Sequence, residues 1–117
     1  MLIATLNHNL PDLTDNLVKQ LKRDPLFDDC ELMVVDNGSK ETIAKSTTHQ
    51  LEENIFFGGG VNVIVEYFLS TDHDYLYMLN NDLIFHGTSF LTTSLKEAKE
   101  SDAAVYSPSV INASEEQ

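Results

Sequence analysis

Short apolar runs that stop at polar clusters alternate, along this chain, with segments whose apolar residues fall at helical spacing. Residues 2–6, Leu-Ile-Ala-Thr-Leu, read as a buried strand that ends in a loop at Asn7-His8-Asn9. Pro11-Asp12 opens a helix carried by Leu13, Leu17, Val18 and Leu21, and Asp24-Pro25 ends it. Residues 31–35 predict a second strand, halted by Asp36-Asn37-Gly38-Ser39. Residues 40–51 are weakly helical, with Ile43, Ala44 and Leu51 as their apolar anchors. Gly58-Gly59-Gly60 precede a helix marked by Val61, Val65, Phe68 and Leu69. Residues 75–79 predict a third strand, stopped by Asn80-Asn81-Asp82, and residues 83–85 a short strand after it. A helix over 89–99 turns Phe90, Leu91, Leu95 and Ala98 inward, and a last strand covers 103–106. The polar tail from Asn112 to Gln117 is expected to fray.

Strands alternating with helices predict an α/β fold, a Rossmann-like and mostly parallel sheet with helices on both faces. In such sheets ligands bind beyond the carboxyl ends of the strands. One polar strand end is ordinary loop chemistry, but Asn7-His8-Asn9, Asp36-Asn37-Gly38-Ser39 and Asn80-Asn81-Asp82 on one edge predict a site. The 117 residues, 42% of them apolar, suit one domain spanning 1–117 with a single core. No internal repeat or low-complexity tract divides it.

Charge narrows the ligand. Nineteen Asp and Glu against seven Lys and Arg give a net charge of −12, which repels nucleic acid backbones. A phosphate-bearing ligand would need a cation to offset that repulsion. The plainer reading is that the acidity serves solubility. No apolar run approaches the roughly 20 residues that span a bilayer. The N-terminus lacks a signal-peptide pattern, so a cytoplasmic location is expected. The single cysteine, Cys30, excludes an internal disulfide and reads as a partly buried, inert thiol.

Three motifs carry candidate chemistry, each with a plainer alternative. Asp36, at a strand end, can accept from a nucleobase N–H or a ribose hydroxyl, with Gly38 making the turn and Ser39 capping the next helix; alone, this is also an ordinary turn. Three glycines before a helix bring backbone N–H groups towards a phosphate. They match neither a G-x-G-x-x-G fingerprint nor a P-loop, and a close helix–sheet contact explains them equally well. Asn80-Asn81-Asp82 offers hard oxygen ligands suited to Mg2+ or Mn2+, or else forms an Asx turn.

In order and spacing, Thr5-Leu6-Asn7, Val34-Val35-Asp36-Asn37-Gly38-Ser39, Asn54 to Asn62 and Asn80-Asn81-Asp82 resemble the motifs of family 2, GT-A-type glycosyltransferases of the rhamnosyltransferase-like branch. The resemblance covers nearly the whole chain and implies the donor-binding half of such an enzyme, acting in polysaccharide or cell-envelope glycan synthesis. It implies a UDP- or dTDP-sugar donor, a saccharide or lipid-linked acceptor, and Mn2+ or Mg2+ bridging the diphosphate. Asp36 would contact the base, Asp82 would hold the metal, Gly58 and Gly59 would lie along the nucleotide sugar, and Asn80 would face ribose or the metal's outer shell. Thr5, Asn7, Asn37, Ser39, Asn54, Asn62 and Asn81 complete the implied nucleotide site.

The sequence departs from the family at Leu6, where relatives carry a stacking tyrosine, and at Phe56, where they carry glycine. The strand before the glycine loop is reduced to Leu51-Glu52-Glu53 or absent. The acceptor half, with the general base an inverting enzyme needs, is expected to be missing from these residues. Glu97, Glu100 and Asp102 read as a solvated helix face. Donor binding without autonomous transfer, as a module or an oligomerising fragment, is therefore the alternative, and a homo-oligomer is expected. A flavodoxin-like receiver is disfavoured, since the first strand ends without acids and Tyr106-Ser107-Pro108 replaces the needed lysine. His8 can approach the base but reads more simply as a loop residue. His49 reads as surface, His73 as part of a turn and His86 as a neighbour of Asp82; no pair has zinc-ligand spacing.

Overall fold

The computed structural model describes residues 1–111. In chain order the elements are β1 (Leu2–Asn7), α1 (Pro11–Leu21), a 3-10 helix (Pro25–Asp29), β2 (Glu31–Asn37), β3 (His49–Leu51), α2 (Phe56–Leu69), β4 (Leu76–Leu79) and α3 (Phe90–Glu100). The four strands form one sheet in the order β3-β2-β1-β4, and every pairing is parallel. Thr5 stands opposite Val34 on one side and Leu79 on the other, and Asn7 stands opposite Asp36.

Alternation along the strands sends successive side chains to opposite faces. Leu2 and Ala4 of β1 join Met33 and Val35 of β2 and Ile64 of α2 in one core. Ile3 joins Leu17 and Leu21 of α1, Leu79 of β4 and Leu91 of α3 in the other. Helices thus cover both faces, α2 on one and α1 with α3 on the other. Fully burying each such aliphatic side chain contributes about 1.5–3 kcal/mol, which is why the central strands are apolar almost throughout. β1 leads into α1 on one face, whereas β3 leads into α2 on the other. Connections therefore diverge between β1 and β4, at the carboxyl end of the sheet.

Five sequence expectations need correction. Residues 40–48 form a loop, and β3 takes the place of the helix's end. Asp15 of α1 holds this loop by accepting from the Lys45 N–H at 3.0 Å, the Ser46 N–H at 2.9 Å and the Ser46 hydroxyl at 2.7 Å. With few apolar anchors, the segment has no helical face to bury, and those tethers win. The strand before the glycine loop, expected to be reduced to 51–53 or absent, is present at His49–Leu51. The three glycines lie within the first turns of α2, not ahead of it.

Residues 83–85 are not a strand. Their backbone is paired instead with the side chain of Gln20, which donates to the Leu83 carbonyl at 3.1 Å and accepts the Phe85 N–H at 2.9 Å. Residues 103–106 are not a strand either: Ala103 N–H turns back to Ser101 Oγ at 3.1 Å, and Tyr106 donates to Glu97 of α3. The expected frayed tail lies outside the described residues. Among those described, no helix is long and apolar enough to cross a membrane.

Candidate functional site

A cleft of ≈ 280 Å³ opens at the divergence between β1 and β4. Thr5 and Leu6 form one wall, Phe57 and Ile64 of α2 another, and Met78 to Asp82 the third. Thr5 Oγ1 donates to the Leu79 carbonyl at 2.8 Å, which locks the two strand ends together. Beyond Leu79, Asn80 and Asp82 are exposed, while the half-buried Asn81 donates to Thr14 Oγ1 of α1 at 3.2 Å. The cleft thus gathers four of the sequence candidates, Thr5, Asn80, Asn81 and Asp82.

The others form a neighbouring edge between β1, β2 and the start of α2. Asp36 is 0% exposed. Its Oδ1 accepts from Asn7 Nδ2 at 3.2 Å and from the Ser39 hydroxyl at 2.6 Å, and its Oδ2 accepts the Ser39 N–H at 2.9 Å. Asn7 Oδ1 accepts the Leu10 N–H at 3.1 Å and steers the chain into α1. Ser39, expected to cap a following helix, has none to cap; it closes the turn on Asp36 and accepts the Asn9 N–H at 2.9 Å.

Asn37 fastens the start of α2. Its Nδ2 donates to the Phe56 carbonyl at 3.0 Å, and its Oδ1 accepts the Ile55 N–H at 3.0 Å. Asn54 Oδ1 accepts the Phe56 N–H at 2.8 Å. These bonds hold Phe56 at φ 62, a left-handed conformation costly for an aromatic residue. It is the backbone shape glycine adopts freely. Gly38, at φ 67, is required on two counts, since a Cβ there would also lie 2.2 Å from the Glu53 carbonyl carbon. Gly60 packs against Leu6, which makes it a helix–sheet contact. Gly59 packs on Ile55, Gly58 faces open space, and Asn62 is exposed on α2, outside the cleft.

The structure adds a partner for His8, which the sequence read more simply as a loop residue, and a cleft-lining place for Phe57. His8 Nδ1 lies 2.8 Å from the Asn37 carbonyl, and Phe57, 69% exposed, lines the cleft. The signal for His8 was its place directly after β1; nothing in the sequence fixed its partner, 29 positions away. At the opposite, amino end of the sheet, Glu31 accepts from Tyr67 and pairs with His73 Nε2 at 2.6 Å. The Tyr67 hydroxyl and then His73 hold the Glu31 carboxyl below its usual value. Cys30, half-buried, donates to the Leu26 carbonyl at 3.2 Å, and burial pushes its thiol up, as an inert cysteine requires.

Among the described residues, no group of three or more His, Cys, Asp or Glu is arranged to hold a metal ion. Asp82 and Asn80 put one carboxylate and one amide on the cleft's lining, both exposed. Comparison of the chain with protein-family models, curated proteins and solved structures finds no match.

Proposed function

We propose that this chain is the donor-binding half of a GT-A-type glycosyltransferase of family 2, taking a UDP- or dTDP-sugar with Mn2+ or Mg2+. The observation that supports this most is the cleft at the divergence of β1 and β4, with Asp82 and Asn80 on its rim. Parallel α/β sheets take nucleotides at such points. Asp82, with Asn80 beside it, would hold the cation, whose chemistry when bound is to neutralise the diphosphate. In a chain of net charge −12 that role matters for binding as well as for leaving-group departure. Thr5 keeps the cleft's two strand walls in register. Asp36 is the base contact the resemblance implies; a base reaches it only by exchanging with the Ser39 hydroxyl.

Donor binding without autonomous transfer is the second reading, and one observation favours it. The described acids that follow Asp82 lie in or beside α3: Glu97 accepts from Tyr106, and Glu100 and Asp102 are exposed. None lines the cleft as a general base. Calorimetry with UDP and dTDP, with and without Mn2+, tests the first claim. Affinity is expected to require the metal and to be lost in Asp82→Ala. Binding that is unchanged by EDTA would remove the metal role. A glycoside product formed with many turnovers, dependent on Asp82, would exclude the second reading.

A further inference from the structure

His8 lies directly beyond β1, on the edge next to the cleft, and the tautomer of its neutral ring is dictated by its hydrogen-bond partners. A carbonyl oxygen only accepts, so the 2.8 Å contact with the Asn37 carbonyl places the proton on Nδ1. Nε2 faces two side-chain amides, Asn9 Nδ2 at 3.1 Å and Asn54 Nδ2 at 3.5 Å. The orientation of each amide is fixed from its other side. Asn9 Oδ1 accepts the Lys40 N–H at 3.2 Å, and Asn54 Oδ1 accepts the Phe56 N–H at 2.8 Å. Flipping either amide would set its NH2 against a backbone N–H. Both amides therefore turn N–H groups towards Nε2, which must be an unprotonated acceptor.

The other side-chain oxygens of this edge are committed. Asp36 accepts from Asn7 and Ser39, Asn7 Oδ1 from Leu10, and Asn37 Oδ1 from Ile55. His8 Nε2 has only the two exposed amides, and the Asn54 contact is at the limit of a hydrogen bond. Nε2 has one lone pair, which the two amides share; an incoming ring N–H that takes it over would leave Asn9 Nδ2, His8 Nε2 and Asn54 Nδ2 as a row of donor, acceptor and donor. Each NH2 keeps a second hydrogen for an incoming oxygen.

We propose that this row reads the imide edge of a uracil or thymine base. That edge presents carbonyl, N–H and carbonyl, the complementary order. Cytosine, with an unprotonated ring nitrogen and an amino group, mismatches two of the three positions. His8 Nε2 takes the N3–H, and the amides of Asn9 and Asn54 take the flanking oxygens. Asn37 is the positioning residue, since its carbonyl fixes the tautomer. The proposal rests on the nucleotide-binding reading above, and it assigns pyrimidine selection to His8 in place of the enclosed Asp36.

Two measurements test it. Imidazole nitrogen NMR of the chain above pH 8 is expected to show His8 with Nδ1 protonated and Nε2 bare. The opposite tautomer would overturn the proposal. Calorimetry with Mn2+ is then run with UDP, N3-methyl-UDP and CDP. UDP is expected to bind at least about tenfold more tightly than either of the others, the scale of one net hydrogen bond or more. His8→Phe is expected to bind UDP and N3-methyl-UDP alike. Equal affinity of the unsubstituted chain for UDP and N3-methyl-UDP overturns the proposal and leaves the nucleotide reading standing. Failure of all three nucleotides to bind overturns the nucleotide reading, and the proposal with it. Should His8→Phe not fold, the N3-methyl comparison on the unsubstituted chain decides alone.

Discussion

The Asp24 carboxylate accepts the Leu91 N–H at 2.8 Å across 67 positions of sequence, joining the end of the first α/β crossover to the start of α3. Asp24 is 2% exposed, and it also accepts from Leu26 N–H, Thr92 Oγ1 and Thr92 N–H. Ser89, at the cap position of α3, makes no side-chain cap bond; Asp24 supplies one from outside the helix. Asp24→Ala is expected to cost about 2–3 kcal/mol, lowering the thermal midpoint by roughly 10 °C. Calorimetric unfolding of the variant checks this; a loss within error of zero would mean that water replaces the carboxylate.

Acid should act through three carboxylates. Burial raises the Asp24 and Asp15 carboxyls, but their hydrogen bonds outweigh it and both lie below the ordinary value. Glu31 is lowered by Tyr67 and His73. A group lowered on folding stabilises fully above its unfolded pKa, about 3.9 for Asp and 4.3 for Glu. That contribution is lost as pH falls through the folded value. Stability from these groups should hold to about pH 5 and decline below it. Denaturant midpoints measured from pH 7 down to pH 3 test the sign. In Asp24→Asn the acid decline should be shallower.

Asp36→Ala is expected to weaken UDP binding about tenfold or more, whereas Glu66→Ala should leave it unchanged. Asp36 organises the proposed ligand edge through Asn7 and Ser39, while Glu66 is exposed on α2. Two variants of equal affinity would place the ligand elsewhere.

Gly38→Ala should destabilise by about 2 kcal/mol or more, since the new Cβ meets backbone and the positive φ is strained. Gly58→Ala, in helical backbone with open space around it, should be neutral or stabilise by up to about 1 kcal/mol. Paired unfolding curves distinguish the two glycines.

Self-association is expected at high micromolar concentration. Phe56 and Phe57 are 77% and 69% exposed, and both stand beside the cleft's α2 wall. Adjacent exposed aromatics seek cover. Sedimentation should show dimers that dissociate in Phe56→Ser with Phe57→Ser; a clean monomer of the unsubstituted chain would contradict this.

What the sequence made legible was whatever period and punctuation encode. β1, α1, β2, α2, β4 and α3 follow from apolar runs and helical spacing, and the turn at Asp36-Asn37-Gly38-Ser39 from its residues. The parallel sheet followed from their alternation. What stayed hidden was decided by single side chains reaching across the fold. Asp15 unmakes a helix over 40–48, and Gln20 replaces a strand partner at 83–85. The enclosure of Asp36 and the tautomer of His8 are likewise long-range facts. Local pattern carries no trace of a hydrogen bond 29 residues away.

The side-chain amide of Gln20 presents one donor and one acceptor, the same pair that a peptide unit offers its neighbour. By gripping Leu83 and Phe85 it makes α1 supply a rung that the sheet lacks at the loop following Asp82. The Phe85 amide should therefore exchange its hydrogen on the timescale of α1 and not of an exposed loop. A cation drawn to Asp82 would meet a carboxylate whose backbone is moored on both sides, by β4 before it and by a helix after it.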